Sequence, residues 1–389
     1  MKKLSVYIHI PYCVRKCAYC DFLSFPCGSP YGIEHSLKGY IKALKRELSE
    51  AASVYPGYMI DTVFFGGGTP SLPDASYIAD IMDALRSLFP FTDEAECSIE
   101  CNPGTVDPDK LSVYAGCGIN RISFGLQSVH ERELKLLGRI HSYEDFLHSL
   151  DMAVAAGFKN INADLMSALP GQDEASWEEC LEKTASLEAL THISAYSLIL
   201  EEGTPFFERY KEEDLPPEEA DREMYHAVPR ILSAYGYSRY EVSNYAKAGY
   251  ECRHNLAYWR RNDYLGVGLG AASCMGGIRR SNVRDMDDYI KAETCGEHGA
   301  EYMDLICAEK EVLMPEDERL EMIMLGLRLT EGFSAEQLFS FADEELKKRY
   351  TEKFKELTAE GLINVRSGRV MLTDAGFDLA DHVTRELML

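Results

Sequence analysis

The chain has 389 residues, 46% of them hydrophobic and 27% charged, with a formal net charge of -24. That balance excludes a disordered chain, and the length suits one barrel-sized domain with smaller companions. The acidic excess argues against a nucleic-acid partner, because phosphate binding draws on clustered Lys and Arg.

The first segment, "MKKLSVYIH", has no apolar stretch long enough for a signal-peptide core. No run elsewhere could span a membrane, so a cytoplasmic location is expected. Twelve cysteines at irregular spacing fit reduced thiols and a metal site better than a disulfide framework.

Six short β-rich runs recur through the first half, each followed by a helix-like stretch: "SVYIHI", "DTVFFG", "ECSIEC", "RISFGL", "NINADLM" and "HISAYSL". Such alternation indicates βα units and a parallel sheet. Successive side chains in a strand point to opposite faces. Cys97, Ile99 and Cys101 therefore oppose Ser98 and Glu100, and Ile122, Phe124 and Leu126 oppose Ser123, Gly125 and Gln127. Likewise Ile161, Ala163 and Leu165 oppose Asn160, Asn162 and Asp164, while Ile193 and Ala195 oppose Ser194 and Tyr196. A doubly wound sheet would be apolar on both faces. One polar face in each of these strands predicts a partial (β/α)6 barrel whose lumen holds a ligand, with functional groups at the strands' C-terminal ends.

The acidic "YKEEDLPPEEADRE" predicts a boundary near residue 215, with Pro217 as the first residue of a helix that Pro229 kinks and that ends before Gly236. The stretch "YEVSNYAKAGYECRHNLAYWRRNDYLGVGLGAAS" predicts extended or looped chain. Beyond about residue 315, helices surround "LINVRSGRVMLT", two strands about a Ser-Gly turn, as in a winged-helix-like module. The expected units are a barrel over 1–210, a linker and extension over 211–310, and a C-terminal winged-helix-like domain over 311–389.

Cys13, Cys17 and Cys20, in "HIPYCVRKCAYCDF", have no fourth cysteine at the spacing that zinc or ordinary iron–sulfur sites use. Three cysteinates can hold a four-iron, four-sulfur cluster by three irons and leave the fourth iron open. The alternative is zinc, with His9 as the fourth ligand.

Cys-x3-Cys-x2-Cys in the loop after a first strand resembles the signature of the radical S-adenosylmethionine (SAM) superfamily. "YIHIPYC", "FFGGGTPS", "SIECNPG", "ISFGLQS" and "ADLMSALPGQ", in that order, are similar to its coproporphyrinogen oxidase-like branch. The resemblance implies a [4Fe-4S] cluster on Cys13, Cys17 and Cys20, with SAM on the open iron and cleaved to methionine and a 5'-deoxyadenosyl radical. It implies Tyr7 and Tyr19 beside cluster and SAM, and Gly66, Gly67, Gly68 and Thr69 close to the methionine moiety. Glu100, Gln127 and Asp164, already on the inward face by alternation, look like groups for the SAM amino group or ribose, and Arg139 like the partner of its carboxylate.

Two kinds of member of that branch fit: an oxygen-independent coproporphyrinogen III dehydrogenase, which decarboxylates propionates, and a HemW-type heme chaperone. The enzyme normally carries a further cysteine where this chain has Phe22, and a longer segment before the first strand. "RHNLAYW", with His254, Asn255, Tyr258 and Trp259, resembles the His-Asn-x-x-Tyr-Trp motif associated with heme in the chaperones. Imidazole can ligate heme iron while aromatics cover the porphyrin. Many relatives read Gly-Ala-His where this chain has Gly270, Ala271 and Ala272, so any role of that histidine is absent or moved. The expected reading is a heme chaperone with cluster, SAM and heme as cofactors. Its expected partners are recipient apo-hemoproteins and an electron donor, with peripheral membrane contact besides.

Overall fold

The computed structural model describes all 389 residues. Six parallel strands lie side by side in chain order: β1 (Lys2–Ile10), β2 (Tyr58–Gly67), β3 (Phe91–Cys101), β4 (Arg121–Gln127), β5 (Asn160–Ser167) and β6 (His192–Ser197). Helices α1 (Ile33–Val54), α2 (Ala75–Leu88), α3 (Pro108–Gly116), α4 (Glu131–Leu137), α5 (Tyr143–Ala155) and α6 (Glu174–Ala185) fill the connections. Several start where a short polar side chain meets the helix: Asp74, Asp107, Ser142 and Asp173 each accept a backbone N–H of the first turn. The apolar strand faces, such as Val6, Ile8, Ile99, Ile122 and Ile161, pack beneath these helices in one core of 64 buried residues. The polar faces look inward. This is the partial barrel that the alternation predicted.

The barrel does not close. The helix α7 (Glu218–Ala234) leads to β7 (Ser238–Arg239) and β8 (Asn244–Ala246), and β8 pairs antiparallel with β6. A short helix, α8 (Arg253–Trp259), precedes β9 (Tyr264–Val267), which pairs parallel with β1. Strands β10 (Ala272–Met275), β11 (Ile278–Asn282) and β12 (Cys307–Val312) extend that edge, giving a 12-stranded sheet.

Two local expectations need correction. Pro217 is the residue before α7 and not its first helical residue, although Pro229 does lie inside the helix. The "RHNLAYW" segment, expected as extended or looped chain, is α8. No side chain of its own caps this helix of about two turns. Instead Glu96 of β3 accepts the N–H groups of Arg253 and His254, both at 3.1 Å. The helix is set by a distant carboxylate, which local sequence does not show.

The C-terminal unit has its own core of 15 buried residues between Met322 and Leu387. It combines α9 (Pro315–Gly326), α10 (Glu344–Ala359) and a three-stranded sheet of β13 (Phe333–Ser334), β14 (Ile363–Arg366) and β15 (Arg369–Leu372). The β14–β15 turn uses Ser367 and Gly368, both at positive φ, as a two-residue hairpin requires. No helix is long and apolar enough to cross a membrane.

Candidate functional site

A cavity of about 810 Å³ occupies the barrel lumen. It brings together Cys13, Cys17, Cys20, Tyr7, Tyr19, Gly67, Gly68, Thr69, Glu100, Gln127, Arg139 and Asp164, and also His254, Asn255 and Tyr258. Gly66 and Trp259 are not on its wall. Three tiers follow from the strand direction: a cysteine rim at the C-terminal ends, a carboxylate belt, and a lower end closed by α8.

At the rim the three cysteines are free thiols. Thr69 Oγ1 donates to Cys13 Sγ at 3.7 Å, and Arg139 Nη1 donates to Cys17 Sγ at 3.4 Å. Arg139 Nη2 donates to Asn102 Oδ1 and to the Gly125 carbonyl, each at 2.6 Å, while its buried Nε has no partner. The glycines serve chain approach as much as ligand approach. A Cβ on Gly68 would stand 2.9 Å from Cys13 Sγ, and one on Gly66 would stand 2.8 Å from the Tyr7 ring. Gly67, at φ +119°, would carry its Cβ to 2.7 Å from the His9 ring.

Both ring nitrogens of His9 are engaged within the protein. Its Nδ1 bonds Tyr7 Oη at 3.0 Å and its Nε2 bonds the Leu23 carbonyl at 2.9 Å. No three His, Cys, Asp or Glu side chains converge as the ligands of one ion must. A four-iron cluster instead attaches its thiolates to separate irons, so a spread donor set of three free thiols beside one guanidinium fits it. Burial raises the Cys13 thiol and pushes Cys20 up to about 11, so loading a metal group there releases protons.

In the middle tier, Glu100 accepts the Gly67 N–H at 3.3 Å. Burial, and then the nearby Asp164 charge, push its carboxyl up to about 8. Asp164 is raised by burial as well, against hydrogen bonds from Asn162 at 2.8 Å and Ser123 at 3.1 Å. A low-dielectric site with two carboxyls suits a cation. Gln127 stands at positive φ (71°) where β4 shifts register, and it accepts Tyr196 Oη at 3.1 Å.

At the lower end His254 is 1% exposed. Its Nδ1 bonds Thr62 Oγ1 at 2.8 Å, its Nε2 bonds Tyr258 Oη at 3.0 Å, and its ring stacks on Phe64 at 5.1 Å. Burial, then the Arg121 charge, lower it to about 3, so the imidazole is neutral, as a metal ligand must be. Trp259 points the other way. It lines a second cavity of about 610 Å³ with Met324 and Leu325 of α9, and the Arg328 guanidinium lies 5.6 Å from its ring. The motif therefore straddles two cavities, with Asn255 and Tyr258 on the wall of both.

Sequence reasoning did not single out Arg121, Asn102 or the His192 network as site groups. His192 Nδ1 bonds Asn162 Oδ1 at 2.6 Å and its Nε2 bonds Tyr240 Oη at 2.8 Å. Arg121 precedes Ser123 by two residues, so the same alternation that found Gln127 would have found it. Phe22 and Ala272 both line the lumen.

A family model described as the Radical SAM superfamily matches residues 7–184, and one described as the HemN C-terminal domain matches residues 313–379. A Bacillus subtilis protein named heme chaperone HemW is 36% identical over 97% of this chain and 97% of its own length. A Lactococcus lactis protein of the same name is 33% identical over 100% of this chain and 98% of its own. The Escherichia coli heme chaperone HemW is 41% identical over 69% of each chain. A solved structure of coproporphyrinogen III oxidase (HemN) from Escherichia coli superposes with a TM-score of 0.82 at 23% identity, covering 99% of this chain and 90% of that one, a likeness of fold. With its three-cysteine rim, its inward polar faces and relatives alike over nearly their whole length, the chain belongs to the HemW family of the radical SAM superfamily.

Proposed function

We propose that this chain is a heme chaperone, which holds a [4Fe-4S] cluster and SAM in the upper lumen and heme at the lower end, and passes heme to apo-hemoproteins. The observation that carries the reading is one continuous cavity joining the cysteine rim to His254, in a chain whose near full-length relatives bear the heme chaperone name.

Cys13, Cys17 and Cys20 would hold the cluster, which when bound supplies an electron to SAM. Arg139, fixed by Asn102 and the Gly125 carbonyl, keeps an unpartnered Nε for the SAM carboxylate. Glu100 and Asp164 give a negative counterpart to the ammonium and sulfonium of SAM. Tyr7, Tyr19, Gln127 and the backbone from Gly66 to Thr69 shape the remaining wall.

Thr62 holds His254 Nδ1 and so orients the ring, leaving Nε2 for iron once Tyr258 releases it. Asn255 and Tyr258 would flank the heme, and Trp259 would support α8 from behind. Val14, Arg15 and Lys16, exposed between Cys13 and Cys17, are where an electron donor would approach. The chemistry is that of a cytoplasmic protein.

Phe22, 61% exposed where the oxidase carries a cysteine, counts against the porphyrinogen-decarboxylating alternative. Heme titration of anaerobically reconstituted protein tests the proposal. A Soret-shifted complex that weakens at least tenfold in His254→Ala is expected; no complex in the wild type would remove the reading.

A further inference from the structure

Arg121 is 2% exposed and lies on the lumen wall, yet none of its guanidinium donors has a protein partner at hydrogen-bond distance. Its Nε and Nη1 are fully enclosed and unpaired, and so is the hydroxyl of Ser98, its neighbour across the β3–β4 register. A buried guanidinium offers five donors, and leaving them empty costs far more than a neutral polar group would.

The nearby acids do not meet this need. Both carboxylate oxygens of Glu96 are taken up by the Arg253 and His254 N–H groups, and Asp164 accepts from Ser123 and Asn162. Those contacts leave Arg121, on the lumen wall, without a protein acceptor for its enclosed Nε and Nη1. Arg139 and Arg15, the other arginines of the cavity wall, stand at the cysteine rim. Arg121 opens β4, and Gly125, whose carbonyl holds Arg139, lies four residues on, which separates the two arginine levels by roughly 13 Å at the rise of an extended strand.

We propose that Arg121 is a carboxylate receptor at the lower end of the lumen, and that it takes a propionate of heme. This rests on the heme reading above. The lower wall supplies the rest of such a site: the edge-on pair Tyr258 and Tyr264 at 4.6 Å, on the lumen wall with His254. Aromatic side chains receive the macrocycle, His254 faces the metal, and the guanidinium pairs with a carboxylate.

The test compares heme with heme dimethyl ester, whose propionates are capped, on the cluster-loaded full chain by Soret titration. Wild type should prefer heme to the ester by about tenfold or more, the effect of one charged hydrogen-bonded pair. Arg121→Gln should bind heme only as well as wild type binds the ester, and Arg121→Lys should regain part of the preference. The rim absorbance of the cluster should stay unchanged in both. Equal binding of heme and ester by wild type would overturn the proposal while leaving heme binding intact, and this arm needs no variant to fold. Arg121→Gln retaining the full preference would overturn it too. Binding of neither compound would remove the heme reading itself, and the receptor with it.

Discussion

At the upper rim of the lumen the reactive groups stand on loops and are held loosely. Cys13 and Cys17 accept long hydrogen bonds from Thr69 and Arg139, and the Arg139 Nε has no partner. At the lower end His254 stands on a helix, with both ring nitrogens bonded and Phe64 against its face. The rim is an open donor set waiting for a metal group and a ligand. The lower end is a closed network in which one bond, Tyr258 to Nε2, must give way before a metal can bind. On the proposed reading one barrel would offer a site filled by assembly and a site filled by exchange, which suits a cargo that has to leave again.

The largest expected effect comes from the rim. Replacing Cys13, Cys17 and Cys20 with Ala should abolish iron and sulfide loading, measured by metal and sulfide analysis. Heme titration of the same variant should stay within about threefold of wild type, because nothing on the cysteine loop bonds His254. A collapse of heme binding would show that the two ends are one site.

Next is the carboxylate belt. Glu100 is raised from the ordinary 4.5 to about 8. A raised carboxyl holds its proton more tightly in the fold, so its share of stability is present at low pH and is lost as pH climbs between those values. Glu100→Gln should therefore raise the melting temperature of the cofactor-free protein at pH 8.5, by a few degrees, with the gain shrinking toward pH 5. In the wild type, binding of cationic SAM should expel the Glu100 proton, so affinity rises with pH up to about 8. Calorimetry at pH 7 in buffers of different ionisation enthalpy should register proton release; a buffer-independent enthalpy would refute this.

Smaller effects are expected around α8. Tyr258→Phe removes the competitor for His254 Nε2 and should tighten heme binding about threefold to tenfold, the scale of one hydrogen bond. Trp259→Phe, whose ring faces Arg328 and the second cavity, should change heme affinity by less than about twofold and instead lower the melting temperature slightly. If Trp259→Phe weakened heme as strongly as His254→Ala, the cargo would belong to the second cavity.

The rim and the belt were legible in the sequence because they follow from spacing and from strand alternation. Glu100, Ser123, Gly125, Gln127, Asp164 and Tyr196 all line the lumen as period two requires. The lower end was only partly legible. The motif around His254 could be seen, but its helix depends on Glu96, which stands far away in sequence, and which side of α8 faces the lumen depends on packing against β2 and α9. Trp259 shows the cost: a motif names residues together, and a helix then sends them to opposite sides. Arg121 was within reach of the same alternation, yet a single inward arginine carries no motif.

The most direct test of the account is heme transfer. Wild-type protein, reconstituted with its cluster and loaded with heme, is mixed with an apo-hemoprotein, and the Soret spectrum is followed. The account predicts a stable complex of the donor alone and conversion to the acceptor's spectrum on mixing, with His254→Ala failing to form the complex. Heme that never binds, or that binds identically in His254→Ala, would contradict it.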